Sequence, residues 1–80
     1  MKEPTMKIVS KNSCPFCDKA KSLLDRYNIP YDVVDITRDE ATRQIFLEQG
    51  FKTVPQIWNG DHHIGGYEDL CDYVIEEGLI

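Results

Sequence analysis

The sequence predicts an α/β fold: a four-stranded mixed sheet flanked by helices, in the order β-α-β-α-β-β-α. Three observations carry this reading. A short β-prone run feeds directly into Cys14-Pro15-Phe16-Cys17, where apolar residues take up helical spacing. A second compact β-prone run follows that helix, which implies a parallel crossover unit of right-handed sense. Asn59-Gly60, a strong tight-turn dipeptide, then joins two further β runs ahead of a last helical pattern.

The elements follow in order. Met6 to Ser10, with Ile8 and Val9 central, is the first strand. From Pro15 to about Tyr27 the positions Cys17, Ala20, Leu23, Leu24 and Tyr27 recur at helical spacing, and Asn28-Ile29-Pro30 ends the helix. Tyr31 to Ile36, with Val33, Val34 and Ile36, is the second strand. Thr37 or Asp39 caps a second helix that turns Ile45, Phe46 and Leu47 inward, and Gly50 stops it. Val54 to Trp58 is the third strand, and the turn at residues 59–61 leads antiparallel into His63-Ile64-Gly65. Gly65-Gly66 breaks the ladder, and Glu68 to Glu77 forms the last helix with Leu70, Cys71, Val74 and Ile75 toward the core. With C-x-x-C at the first strand-to-helix junction, this order resembles the thioredoxin-like arrangement.

Eighty residues are expected to form one domain, 1–80, near the lower end of what a single core stabilises. An apolar share of 41% with 29% charged residues is ordinary for a soluble globular chain. A net charge of −5 argues against nucleic acid, whose binders carry a basic face. No apolar run approaches a membrane span, and Met1-Lys2-Glu3-Pro4-Thr5 lacks the apolar core of a signal peptide. Three cysteines, an odd number, suit a reducing compartment better than a secreted disulfide framework, so the cytoplasm is expected.

Two thiols three residues apart form a candidate redox pair. At a helix N-terminus, unpaired N–H groups and the macrodipole favour thiolate, lowering a thiol pKa from about 8.5 to roughly 3.5–7.5. Pro15 suits the first helical position. Cys14 is then the exposed nucleophile and Cys17 the thiol behind it. The competing use of such a pair is half a zinc site, but Cys71, His62 and His63 do not supply a second knuckle, so no metal is expected. Lys7, Lys11, Lys19 and Lys21 bracket the pair as a positive rim that favours thiolate and anionic substrates.

Two further motifs surround it. In Thr53-Val54-Pro55, a cis Val54-Pro55 bond would leave the Val54 backbone free to pair with an extended ligand. Gly65-Gly66-Tyr67-Glu68-Asp69 combines glycines that admit a close backbone with a helix N-terminus that receives a carboxylate. Cys71, Trp58 and Phe46 read as structural, and of His62 and His63 at least one faces solvent.

Lys11, Cys14-Pro15-Phe16-Cys17, Thr53-Val54-Pro55-Gln56-Ile57 and Ile64-Gly65-Gly66-Tyr67-Glu68-Asp69 stand in the order and spacing of the glutaredoxins, and the chain resembles their small dithiol class over nearly its whole length. The resemblance implies reduction of protein disulfides and glutathione mixed disulfides with glutathione as reductant. It makes Cys14 the nucleophile and Cys17 the resolving thiol. Lys11 would meet the glycine carboxylate, Phe16 would line the groove, and Thr53, Val54 and a cis Pro55 would hold the cysteinyl backbone. Gly66, Tyr67, Glu68 and Asp69 would hold the γ-glutamyl end. Two departures stand out: Phe16 replaces a common Tyr, and Thr42 occupies the place of a long polar side chain, with Arg43 as a substitute, so a weaker glutathione seat is expected.

The resemblance further implies a monomer whose clients are disulfide proteins, ribonucleotide reductase among the candidates. Two alternatives stay open. One is a glutaredoxin-like thioredoxin recycled by a flavin disulfide reductase. The other is a protein in which two chains hold an iron–sulfur cluster through Cys14 and external thiols.

Overall fold

A computed structural model describes residues 5–79. Strand β1 (Met6–Ser10), helix α1 (Pro15–Arg26), strand β2 (Tyr31–Asp35), helix α2 (Glu40–Glu48), strands β3 (Gln56–Asn59) and β4 (His62–Gly65) and helix α3 (Tyr67–Glu76) follow in the expected order. The sheet runs β2-β1-β3-β4, with β1 parallel to β2 and the other pairs antiparallel. Gly60, at φ 61°, supplies the left-handed residue of the β3–β4 turn.

Alternation along β1 divides the interior. Met6 and Ile8 pack with Ile57, the α1 residues Ala20 and Leu24, and the α3 residues Leu70 and Val74, all buried. Such side chains contribute about 1.5–3 kcal/mol each when fully withdrawn from water. Lys7 and Val9 point to the opposite face, where they share a cavity with Phe46 of α2 and with Trp58. Helices α1 and α3 thus carry the main core, and α2 covers the second face through one buried residue, Phe46.

Several inward assignments differ from the sequence reading. Ile45 and Leu47 are 55% and 48% exposed, because neighbours of Phe46 on a helix are turned about 100° away and α2 is too short to wrap the sheet. Ile75 is exposed and Cys71 is half-buried, since Leu70 and Val74 alone define the inward edge of α3. Tyr27 is an exposed C-cap rather than a core position. Asp39, not Thr37, caps α2 by accepting the Ala41 N–H at 3.0 Å. Thr37 instead bonds to Asp35 in the turn that ends β2 before Ile36. Strand β3 begins at Gln56, which leaves Val54 and Pro55 in the loop that faces the cysteines. His62 and His63 are both exposed.

Candidate functional site

Strand β1 delivers the chain to its C-terminal end, where Ser13 at φ 56° turns it sharply into Cys14. That left-handed position is uncommon for a residue with a side chain, and it aims Cys14 at the mouth of α1. Cys14 is the N-cap of α1, with Pro15 in the first turn. The Cys17 N–H donates to Cys14 Sγ at 3.2 Å, and the two cysteines are joined as a disulfide with Cα atoms 5.2 Å apart. In the reduced protein the same N–H and the helix dipole favour negative charge on Cys14. Cys17, in the first turn of α1, is wholly buried.

Cys14 is not the openly exposed residue that the sequence suggests: it is 6% exposed. Its sulfur lies beneath the loop before β3, 3.9 Å from the Val54 carbonyl oxygen. Cys14 borders a cavity of about 450 Å³, whose wall includes Lys11, Arg43 and Lys52 beside Thr53 and Val54. The Val54-Pro55 bond is cis.

A second cavity of about 260 Å³ adjoins the first through the shared residues Thr53 and Val54. Phe16, Pro55, Gly66, Tyr67, Glu68 and Asp69 complete its lining. The Phe16 ring is 52% exposed and lies 6.3 Å from that of Tyr67, with Lys19 Nζ 5.0 Å from its centroid. A side-chain hydrogen bond with Cys71 raises the Tyr67 phenol above its ordinary pKa. Asp69 accepts the Gly66 N–H at 3.1 Å, so that donor is already engaged. The first intrahelical bond of α3 runs from Leu70 N–H to Gly66 O, which leaves the N–H groups of the first turn for a ligand carboxylate.

The residues expected to catalyse or to bind glutathione line these two cavities, except Cys17, which sits behind Cys14; of the expected cationic rim only Lys11 does so, Lys7 lining the cavity on the opposite face of the sheet and Lys19 and Lys21 lining neither. The cleft is therefore cationic at one end and acidic, with helix donors, at the other. Arg43, which the sequence offered only as a substitute for Thr42, and Lys52, which it did not single out, both carry charge into it. Thr42 does not line it; its hydroxyl donates to Asp39 at 2.9 Å and the residue borders the cavity on the second face of the sheet, while Arg43 takes the wall position. Adjacency of Lys52 to Thr53 was a visible signal for that residue. The place of the exposed Arg43 on the cleft wall depends on the helical phase of α2, which Phe46 sets by being its one buried side chain. Among the described residues no group of three or more His, Cys, Asp or Glu is placed to hold a metal ion.

The glutaredoxin family model matches residues 6–64. Glutaredoxin 1 of Rickettsia conorii is 39% identical over 71 residues, covering 85% of this chain and 70% of its own. Glutaredoxin 3 of Escherichia coli is 36% identical over 75 residues, covering 92% and 90%. The crystal structure of glutaredoxin 1 from Francisella tularensis complexed with cacodylate superposes with a TM-score of 0.75 at 35% identity, covering 92% of this chain and 94% of that one.

Proposed function

From the premise that this chain belongs to the glutaredoxin family and is a thiol–disulfide oxidoreductase, we propose that glutathione is its reductant and that it reduces glutathione mixed disulfides and protein disulfides. The observation that carries the glutathione assignment is the polarity of the cleft. Lys11, Arg43 and Lys52 suit a single C-terminal carboxylate at one end. At the other, Glu68, Asp69 and the first turn of α3 suit the ammonium and carboxylate of a γ-glutamyl group. Thr53 and Val54, common to both halves, suit the extended backbone between them.

In this reading Cys14 thiolate attacks the glutathionyl sulfur of a mixed disulfide. The bond from glutathione to the client breaks, and the client leaves as a thiolate that takes a proton from water. A second glutathione thiolate then attacks the glutathionyl sulfur on Cys14, releasing glutathione disulfide and restoring Cys14 thiolate. With a protein disulfide, Cys14 forms the mixed disulfide to the client and Cys17 resolves it. Two glutathiones then reduce the resulting Cys14–Cys17 bond. Alignment of three sulfurs by the cleft supplies much of the rate. Cytoplasmic disulfide proteins are the proposed clients of a monomeric enzyme, ribonucleotide reductase being the first to try by family analogy.

The test is turnover of a small glutathione mixed disulfide with glutathione, glutathione reductase and NADPH. Unaltered protein and Cys17→Ser are expected to turn over, while Cys14→Ser is inactive. Cys17→Ser is expected to lose reduction of protein disulfides that need both thiols. Failure of the unaltered protein with glutathione, together with turnover supported by a flavin disulfide reductase, would overturn the assignment.

A further inference from the structure

A chain of polar side chains leads from the cleft to an aromatic cluster on the second face of the sheet. Gln56, the first residue of β3, donates through Nε2 to the Thr53 carbonyl oxygen at 3.1 Å and to Thr53 Oγ1 at 3.3 Å. Its Oε1 lies 2.8 Å from His63 Nε2. A carbonyl can only accept, so the amide nitrogen must face Thr53 and the amide oxygen must face His63. His63 therefore holds its proton on Nε2 and donates it. Its ring is in turn fixed by Trp58 and Phe51, with centroids 4.7 Å and 5.2 Å away.

We propose that His63, acting through Gln56, is a positioning residue that holds Thr53 and Val54 in the form that binds glutathione; this rests on the glutathione reading above. Two consequences follow from the directions of the bonds. The Thr53 carbonyl is drawn toward Gln56, which fixes the peptide plane between Thr53 and Val54 and hence the direction of the Val54 N–H. The Thr53 hydroxyl oxygen accepts from Gln56 and so keeps its own proton for an acceptor on the ligand. Phe51, just upstream of Thr53, packs on the same imidazole, so His63 braces the loop before and after its ligand-facing residues.

The test separates the donor from the ring. His63→Phe keeps an aromatic ring between Phe51 and Trp58 and removes the N–H; Gln56→Met keeps length and removes both amide groups; His63→Gln returns a donor without the ring. Steady-state kinetics with a glutathione mixed disulfide are expected to show KM raised about two- to tenfold in His63→Phe and Gln56→Met, the range of one net hydrogen bond. Their kcat is expected within twofold of the unaltered protein, as for loss of uniform binding. The double variant is expected to be no worse than Gln56→Met, because both changes cut one chain. His63→Gln is expected to regain most of the lost KM. Unchanged KM in His63→Phe, additive losses, or kcat falling with melting temperature without rescue by His63→Gln would each overturn the inference while the glutathione reading stands. Absence of glutathione-dependent turnover in the unaltered protein overturns both.

Discussion

Gly65→Ala is expected to destabilise the protein strongly, while Gly66→Ala, one residue on, is nearly silent in stability. Gly65 sits at φ 122°, a region that L side chains rarely adopt, and a Cβ there would collide with the Asp69 carboxylate. Forcing such a conformation costs about 1–3 kcal/mol. Displacing Asp69 removes its bond to the Gly66 N–H, a further loss of about 1 kcal/mol. The sum, about 2–4 kcal/mol, corresponds for a domain of this size to a fall in Tm on the order of 15 °C. Gly66 has an ordinary φ of −89°, and a Cβ would meet only the Pro55 carbonyl oxygen at 3.7 Å. Its replacement by Ala is expected to change stability by less than about 1 kcal/mol, the N-cap loss being offset by a less flexible unfolded chain. Thermal and urea unfolding followed by far-UV circular dichroism gives both numbers. Adding Asp69→Ala to Gly65→Ala removes the collision, so the double variant is expected to lose less than the two single losses combined. Equal destabilisation by the two glycine replacements, or a Gly65→Ala protein as stable as the unaltered one, would refute the steric reasoning.

Other perturbations probe the cleft and the second helix. Lys11→Ala, Arg43→Ala and Lys52→Ala are each expected to raise KM for a glutathione mixed disulfide up to about fivefold, the range of an exposed ion pair, with the difference shrinking at high salt. A salt-independent effect would argue against a carboxylate at that end. The Thr42 hydroxyl and the Ala41 N–H depress the Asp39 carboxyl below its usual pKa. Its contribution to α2 is therefore complete above the unfolded value of about 3.9 and is lost as pH falls through the lower folded value. Asp39→Asn is expected to flatten that acid dependence of helicity, measured by circular dichroism, and an unchanged titration would contradict the capping role. Asp35 is depressed in the same direction, chiefly by Thr37, and Thr37→Val is expected to weaken the acid dependence further.

The order of elements along the chain and the β1–β2 and β3–β4 pairings were readable because each element carried a local signal, whereas the central β1–β3 pairing and the start of β3 at Gln56 were not. The spacing of Ala20 and Leu24 marked α1, and Asn59-Gly60 marked the hairpin. Gly50, at φ 89°, marked the end of α2. The residues from Lys11 to Asp69 that line the cleft were readable as a group because they sit in short motifs at element ends, where backbone chemistry restricts residue choice. What escaped was set by packing between elements. Burial of Ile45, Leu47 and Ile75 could not be judged without knowing that α2 rests on one side chain and that α1 and α3 share the main core. The low exposure of Cys14 depends on a loop forty residues away, and the choice of Arg43 over Thr42 for the cleft wall follows from the helical phase that Phe46 sets. The link from His63 to Thr53 spans two strands, and no sequence pattern announces it.

The most direct test of the central claim is intact and peptide-level mass spectrometry of reduced Cys17→Ser after exposure to glutathione disulfide. One glutathionyl group, attached at Cys14, is expected, with Cys71 left as a free thiol. No adduct, or an adduct at Cys71 with Cys14 unmodified, would contradict the assignment of Cys14 as the nucleophile of a glutathione-dependent enzyme.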